Sequence, residues 1–107
     1  MISKEQILGV TQIIVEELQP KQIFLFGSYA MGKANIESDL DLLVIVDKSD
    51  LPKRKRVEPI YLSLLKNNKM VNADILVRTQ GEIEEWKNVS QAFLTSILPT
   101  AKLIYEG

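Results

Sequence analysis

Of the five aspartates in this 107-residue chain, Asp39, Asp41 and Asp74 lie at the start of one apolar segment or inside another. Aspartate is disfavoured in strands, and charge on a half-buried sheet costs free energy unless it is paired or bound to metal. Side chains two apart on a strand share a face, so Asp39 and Asp41 point the same way with Cα atoms about 6.5 to 7 Å apart. If the Asp74 strand pairs alongside, cross-strand spacing of roughly 5 Å brings a third carboxylate to the pair. Three like charges so close raise one another's pKa, and divalent cations that prefer oxygen relieve them. A Mg²⁺ site follows. Taken singly, each aspartate reads more simply as a strand-end acid reaching water or closing a turn. The weight therefore rests on the coincidence of three, of which Asp74 is the weakest member.

Just upstream, Gly27-Ser28-Tyr29-Ala30-Met31-Gly32 puts a glycine at a strand end and a serine at the start of a short helix. Free backbone N–H groups beside a hydroxyl form an anion site, and glycine lets a phosphate approach the backbone closely. By itself Gly-Ser is an ordinary strand-to-helix turn with Ser28 as N-cap. Neither a P-loop nor a dinucleotide fingerprint is present, because the spacings and the Lys-Ser/Thr ending are missing. What carries meaning is a phosphate-capable turn directly ahead of a metal-capable acid pair.

The elements that must hold these groups follow from periodicity. Ser3 with Gln6 has capping-box spacing, and Ile7, Val10, Ile14 and Leu18 form a helical stripe that ends before Pro20. Gln22 to Phe26 reads as a buried strand stopped by Gly27, and Leu40 to Val46 as a second strand, apolar enough after Asp41 to be covered on both faces. The basic run Lys53-Arg54-Lys55-Arg56 leads into a helix from Val57 to Leu65, with Pro59 in its first turn and Asn67-Asn68 at its end. That run reads first as a solvated helix start and second as a patch for phosphate or an acidic surface. Val71 to Val77 is a third strand, Thr79 with Glu82 caps a helix through Trp86, and Ser90 caps another to about Leu98. Trp86 reads as core. Lys102 to Tyr105 is an edge strand or a last helical turn. The order fits an α/β or α+β sheet with packed helices in one domain over residues 1–107.

Composition narrows the chemistry. There is no Cys and no His, which removes disulfides, thiolate or imidazole metal sites and the usual general base, and leaves carboxylates, hydroxyls, amines and backbone. With 13 basic and 14 acidic residues the chain offers no whole-protein attraction to nucleic acid or anionic lipid. No secretory signal pattern or membrane-length apolar run is apparent, so a cytoplasmic location is expected.

The string Gly27-Ser28-x3-Gly32-x5-Ser38-Asp39-x-Asp41-Leu42, with Asp74 on a later strand, resembles the signature of the DNA polymerase β-like nucleotidyltransferases. Size, the wording Ser38-Asp39-Leu40-Asp41-Leu42-Leu43-Val44 and the ending Ala101-Lys102-Leu103-Ile104-Tyr105-Glu106 look like the minimal nucleotidyltransferases, or MNT proteins, over nearly the whole chain. The resemblance implies the polymerase β-like fold, a small mixed sheet with helices packed mainly on one face. It also implies that Gly27, Ser28 and Ser38 bind nucleotide, that Asp39 and Asp41 hold two Mg²⁺, and that Asp74 is a further metal ligand or the base. ATP would donate AMP to a hydroxyl. Little chain remains for an acceptor pocket, and the MNT family is typically encoded beside a HEPN-domain protein. The implied acceptor is thus a tyrosine of a HEPN toxin, with this chain as antitoxin in a toxin–antitoxin pair. The chain departs from its relatives at Tyr29 and Met31, where Arg is frequent and Lys33 is the available substitute, and at Ala73, where Val is usual.

Two other functions stay open on the residues alone: a non-catalytic antitoxin that works by occlusion, and a transferase acting on a small molecule or RNA. Leu43 and Ile45 continue the aspartate face and are too apolar for water. They meet either a partner or second copy, as in a homodimer, or the chain's own last helices.

Overall fold

The computed structural model describes residues 1–89 and 100–107, with the backbone alone at 87–89. Helix α1 (Lys4–Leu18) starts at a complete capping box, in which the Ser3 hydroxyl accepts from Gln6 N–H and the Gln6 side chain accepts from Ser3 N–H. It stops at Gln19, whose left-handed backbone (φ 47°) turns the chain into Pro20. Strand β1 (Gln22–Phe26) runs directly into the short helix α2 (Gly27–Met31), and β2 spans Leu40–Val46. A 3₁₀ turn at Lys53–Lys55 precedes α3 (Glu58–Lys66), which carries Pro59 in its first turn. Strand β3 (Ala73–Thr79), helix α4 (Gln80–Val89) and strand β4 (Lys102–Glu106) complete the described residues.

The sheet order is β3-β2-β1-β4. β1 pairs antiparallel with both β2 and β4, whereas β2 and β3 are parallel, so the 3₁₀ turn and α3 form the crossover that a parallel pair needs. On one face, Ile23, Leu25, Leu40, Leu42, Val44, Ile75 and Val77 pack with Val10 and Ile14 of α1 and Ile60 and Leu64 of α3. On the other, Leu43 and Ile45 pack with Ile83 of α4, with Phe24, Phe26, Leu76 and Trp86 around them. Leu43 is 2% exposed and Ile45 7%, so of the two alternatives it is the chain's own α4 that covers these residues. With α4 on this second face, β2 is buried on both sides along most of its length, as its run of apolar residues requires.

Several assignments change from the sequence reading, with α3 shifted by one residue from Val57–Leu65 to Glu58–Lys66 and α4 running past Trp86 to Val89. β3 begins at Ala73 rather than Val71 and extends to Thr79, because the Thr79/Glu82 capping box starts α4 at the strand's end: Thr79 N–H donates to Glu82 Oε1 at 2.8 Å and Glu82 N–H to Thr79 Oγ1 at 3.2 Å. The C-terminal segment is an edge strand, since Lys102 to Glu106 pairs with β1 across a bulge between Ile23 and Phe24. The basic run divides. Lys53, Arg54 and Lys55 are exposed, but Arg56 is buried, so the solvated-start reading holds for three of the four. The helix expected from Ser90 to about Leu98 lies outside the described residues.

Arg56 knits the second face to the crossover. Its Nε donates to Leu51 O at 2.9 Å and its Nη1 to Val77 O at 3.2 Å, while Nη1 and Nη2 form a two-pronged pair with Glu82 at 2.6 and 3.2 Å. Trp86 packs as core, with the Arg78 guanidinium 5.2 Å and the Lys53 ammonium 5.9 Å from its ring centre. Among the described residues no helix is long and apolar enough to cross a membrane.

Candidate active site

The parallel register of β2 and β3 sets Asp41 directly opposite Asp74. Because faces alternate, both belong to the Leu43 and Leu76 face, at the end where α4 does not cover it: Asp41 is half-buried and Asp74 exposed. Asp39, exposed, precedes β2 by one residue. Burial raises the Asp41 carboxyl above the ordinary carboxylate range, and the charges of Asp74 and then Asp39 push it further the same way. Both neighbouring acids therefore act on Asp41. Among the described residues no three acidic side chains stand close enough to form a metal cage as placed, and of the three aspartates only Asp41 and Asp74 share a register.

Phe26 pairs with Asp41, and the chain leaves β1 at the next residue. Gly27 has φ 71°, and a Cβ on it would run into the Asp41 carboxylate, so only glycine lets the turn lie against the acid. Ser28 follows in the first turn of α2, its carbonyl accepting from the Gly32 and Lys33 N–H groups as the helix closes. Among the described residues no hydrogen bond engages the Ser28 hydroxyl. Ser38 is placed differently. Its hydroxyl accepts from Asn35 N–H at 2.9 Å, and its own N–H donates to Asn35 O at 3.0 Å, in the exposed loop that leads the chain into Asp39. Tyr29, one of the departures from the expected turn, accepts from Ile2 N–H at 3.0 Å and so ties α2 to the start of the chain.

Replacing Gly27 by Ala is expected to strain the left-handed backbone by about 1 kcal/mol and to displace the Asp41 carboxylate. A displacement of about 1 Å in a reacting group costs on the order of 10²-fold in rate. Turnover measured beside thermal unfolding checks this. Wild-type turnover in Gly27→Ala would show that the contact between turn and acid is irrelevant.

Nothing in the one-dimensional pattern marks Tyr61, yet its phenol reaches β3 beside Asp74 and donates to Ala73 O at 3.0 Å. Burial pushes the phenol up from its usual range, a hydrogen bond from the Ile75 backbone opposes this, and Asp74 adds to the rise. The signal available in sequence is only that Tyr61 stands one position beyond Ile60 on the helix preceding the Asp74 strand.

Acids gathered at one end of a mixed sheet, with a glycine turn pressed against them, form the kind of site found in enzymes that transfer nucleotides. Over residues 9–107 the chain matches the family described as Polymerase beta, Nucleotidyltransferase, and it belongs to that family. A protein of Methanocaldococcus jannaschii named "Putative protein adenylyltransferase MJ1379" is 39% identical over 49 residues, covering 46% of this chain and 49% of that relative. The match thus spans about half the length of that relative. Two solved structures share the fold at a TM-score of 0.63. One is a "putative nucleotidyltransferase" from Sulfolobus solfataricus, 15% identical, covering 95% of this chain and 78% of that one. The other is a toxin–antitoxin crystal structure with AMP-PNP, 18% identical, covering 96% of this chain and 73% of that one.

Proposed function

We propose that this nucleotidyltransferase moves AMP from ATP to a hydroxyl, and that the acceptor is a tyrosine of a HEPN-domain toxin for which the chain is the antitoxin. The observation that supports this most directly is the Asp41–Asp74 register with Gly27 packed behind it. The donor set suits Mg²⁺: hard carboxylate oxygens, one of them raised by burial and by its acidic neighbours, are what an oxygen-preferring divalent ion relieves. Asp39, Asp41 and Asp74 would hold the ions. Bound there, Mg²⁺ supplies charge neutralisation and Lewis acidity at the triphosphate.

The chain's own groups do the rest. Gly27 brings the turn against Asp41, and the Ser28 hydroxyl, without a partner among the described residues, is available to donate to the phosphates. Ser38 shapes the loop into Asp39 and would reach nucleotide only by releasing Asn35. Asp74, on the exposed edge strand, is open to an acceptor arriving from outside and takes the proton from its hydroxyl. The new bond joins that oxygen to the α-phosphorus, and the bond to the departing pyrophosphate breaks in line. The AMP-PNP and toxin–antitoxin words describing one structural relative favour a nucleotide and a protein partner here. The name of the Methanocaldococcus jannaschii relative favours adenylyl transfer to protein.

Mass spectrometry of a HEPN partner incubated with this protein, ATP and Mg²⁺ should show one or more added AMP units on a tyrosine. Neutralisation of the toxin with no mass change would replace catalysis by occlusion, and labelling of RNA or a small molecule instead would move the acceptor. Separately, ATP with Mg²⁺ at about 100 times its Kd should stabilise the fold by roughly 2.7 kcal/mol. A chelator should reverse the shift. A melting curve indifferent to both would remove nucleotide binding from the proposal.

A further inference from the structure

Among the described residues β3 lies at the edge of the sheet, with β2 as its one strand neighbour. Backbone groups alternate direction along a strand, and Asn72 O is turned toward β2, where it accepts from Leu40 N–H at 2.8 Å. Residues 74 and 76 therefore face β2, while 73, 75 and 77 turn their N–H and C=O groups to the open edge. That edge is held by side chains from the crossover. Arg56 donates to Val77 O at 3.2 Å, and the Tyr61 phenol, half-buried on α3, donates to Ala73 O at 3.0 Å. Ala73, whose carbonyl the phenol engages, directly precedes Asp74.

We propose that Tyr61 is a positioning residue for Asp74: its hydroxyl grips the outer edge of β3 at Ala73, next to the aspartate, and holds that carboxylate in register with Asp41. An edge strand lacks the second ladder that would stiffen it. Asp74 is exposed, and among the three aspartates it alone sits on an edge strand, so its placement depends most on what backs the strand. The phenol comes from the helix that buries Ile60 and Leu64 in the main core, which gives the grip a rigid base. This inference rests on the proposed metal role of Asp74.

Mn²⁺, which can be counted free in solution by electron paramagnetic resonance, is the probe. It is titrated into the full chain in four forms: wild type, Tyr61→Phe, Asp74→Asn and the double variant. Tyr61→Phe keeps the ring and its packing and removes only the hydroxyl, and thermal melts confirm that each form is folded. Groups that orient a metal ligand typically change affinity by 10- to 100-fold when removed. Tyr61→Phe should weaken Mn²⁺ binding roughly tenfold, and the double variant should bind no more weakly than Asp74→Asn alone. A merely structural phenol would lower the melting temperature and leave Mn²⁺ affinity unchanged. Wild-type affinity in Tyr61→Phe alongside weakened Asp74→Asn overturns the positioning role alone, as does a double variant whose losses add. Wild-type affinity in Asp74→Asn overturns the metal role of Asp74 and this inference with it.

Discussion

Asp41→Asn is expected to abolish the proposed AMP transfer while leaving the metal-free protein at least as stable as wild type. Asp41 is the half-buried member of the trio, opposite Asp74 and against Gly27, and burial, Asp74 and Asp39 all raise its carboxyl. A raised acid binds its proton more tightly folded than unfolded, so ionisation at neutral pH works against the fold, and the penalty fades as pH falls through the raised value. The isosteric amide removes that charge. It also removes a proposed Mg²⁺ ligand, and electrostatic assistance of that kind is worth several kcal/mol, which at about 1.4 kcal/mol per decade is on the order of 10³-fold in rate. Turnover and thermal unfolding without metal, measured on the same preparation, check both halves. Activity within tenfold of wild type would exclude Asp41 from the chemistry. Loss of activity matched by loss of fold would leave the residue a structural one.

The largest stability effect is expected from Arg56→Ala. Arg56 is 7% exposed and bonds Leu51 O, Val77 O and both Glu82 oxygens, so truncation removes four hydrogen bonds and leaves Leu51 O without its donor, while Val77 O keeps Arg78 Nη1 and Glu82 keeps Thr79 N–H. Glu82 is part-exposed and keeps a donor, so the cost falls below that of a fully buried pair, at about 2 kcal/mol, which for a domain of this size lowers Tm by roughly 8 to 16 °C. The pair also predicts a pH dependence. Hydrogen bonding from Arg56 first, then from Thr79 N–H, with the charges of Arg56 and Lys53 adding, outweighs burial and holds Glu82 at about 2 against an ordinary 4.5. A depressed acid stabilises the fold above its unfolded value and loses that contribution as pH falls through the interval down to about 2. Wild type should therefore lose stability steadily below about pH 4.5, with Arg56→Ala showing a shallower acid slope. Denaturant titrations at pH 7 and pH 3 measure this. Equal slopes in the two proteins would mean that the ion pair is not what lowers Glu82.

Glu82 and Arg56 also show where reading in one dimension stops. The Thr79/Glu82 capping box is local and was legible, because it joins backbone groups three residues apart. The partner of the same carboxylate, 26 residues earlier, was not, since a basic run looks alike whether its last member faces water or a sheet edge. Strand ends show the same limit. Val71 and Asn72 have the apolar or extended character of β3, but pairing with Leu40 begins at Ala73. Lys102 to Tyr105 is too short for periodicity to separate strand from helix, and pairing with β1 decides it.

What the amino-acid order determined by itself is the set of local conflicts: aspartates in apolar strands, a glycine where a side chain would be expected, and a family signature that runs through both. These are visible because propensity and alternation act over a few residues. Tertiary structure alone decided that β3 lies parallel to β2 with Asp74 opposite Asp41, that α4 rather than another copy covers Leu43 and Ile45, and that Tyr61 and Arg56 hold the open edge. The physical reason is that strand register and side-chain reach across 12 to 33 positions depend on the packing of the whole core, for which no short stretch of chain carries a signal.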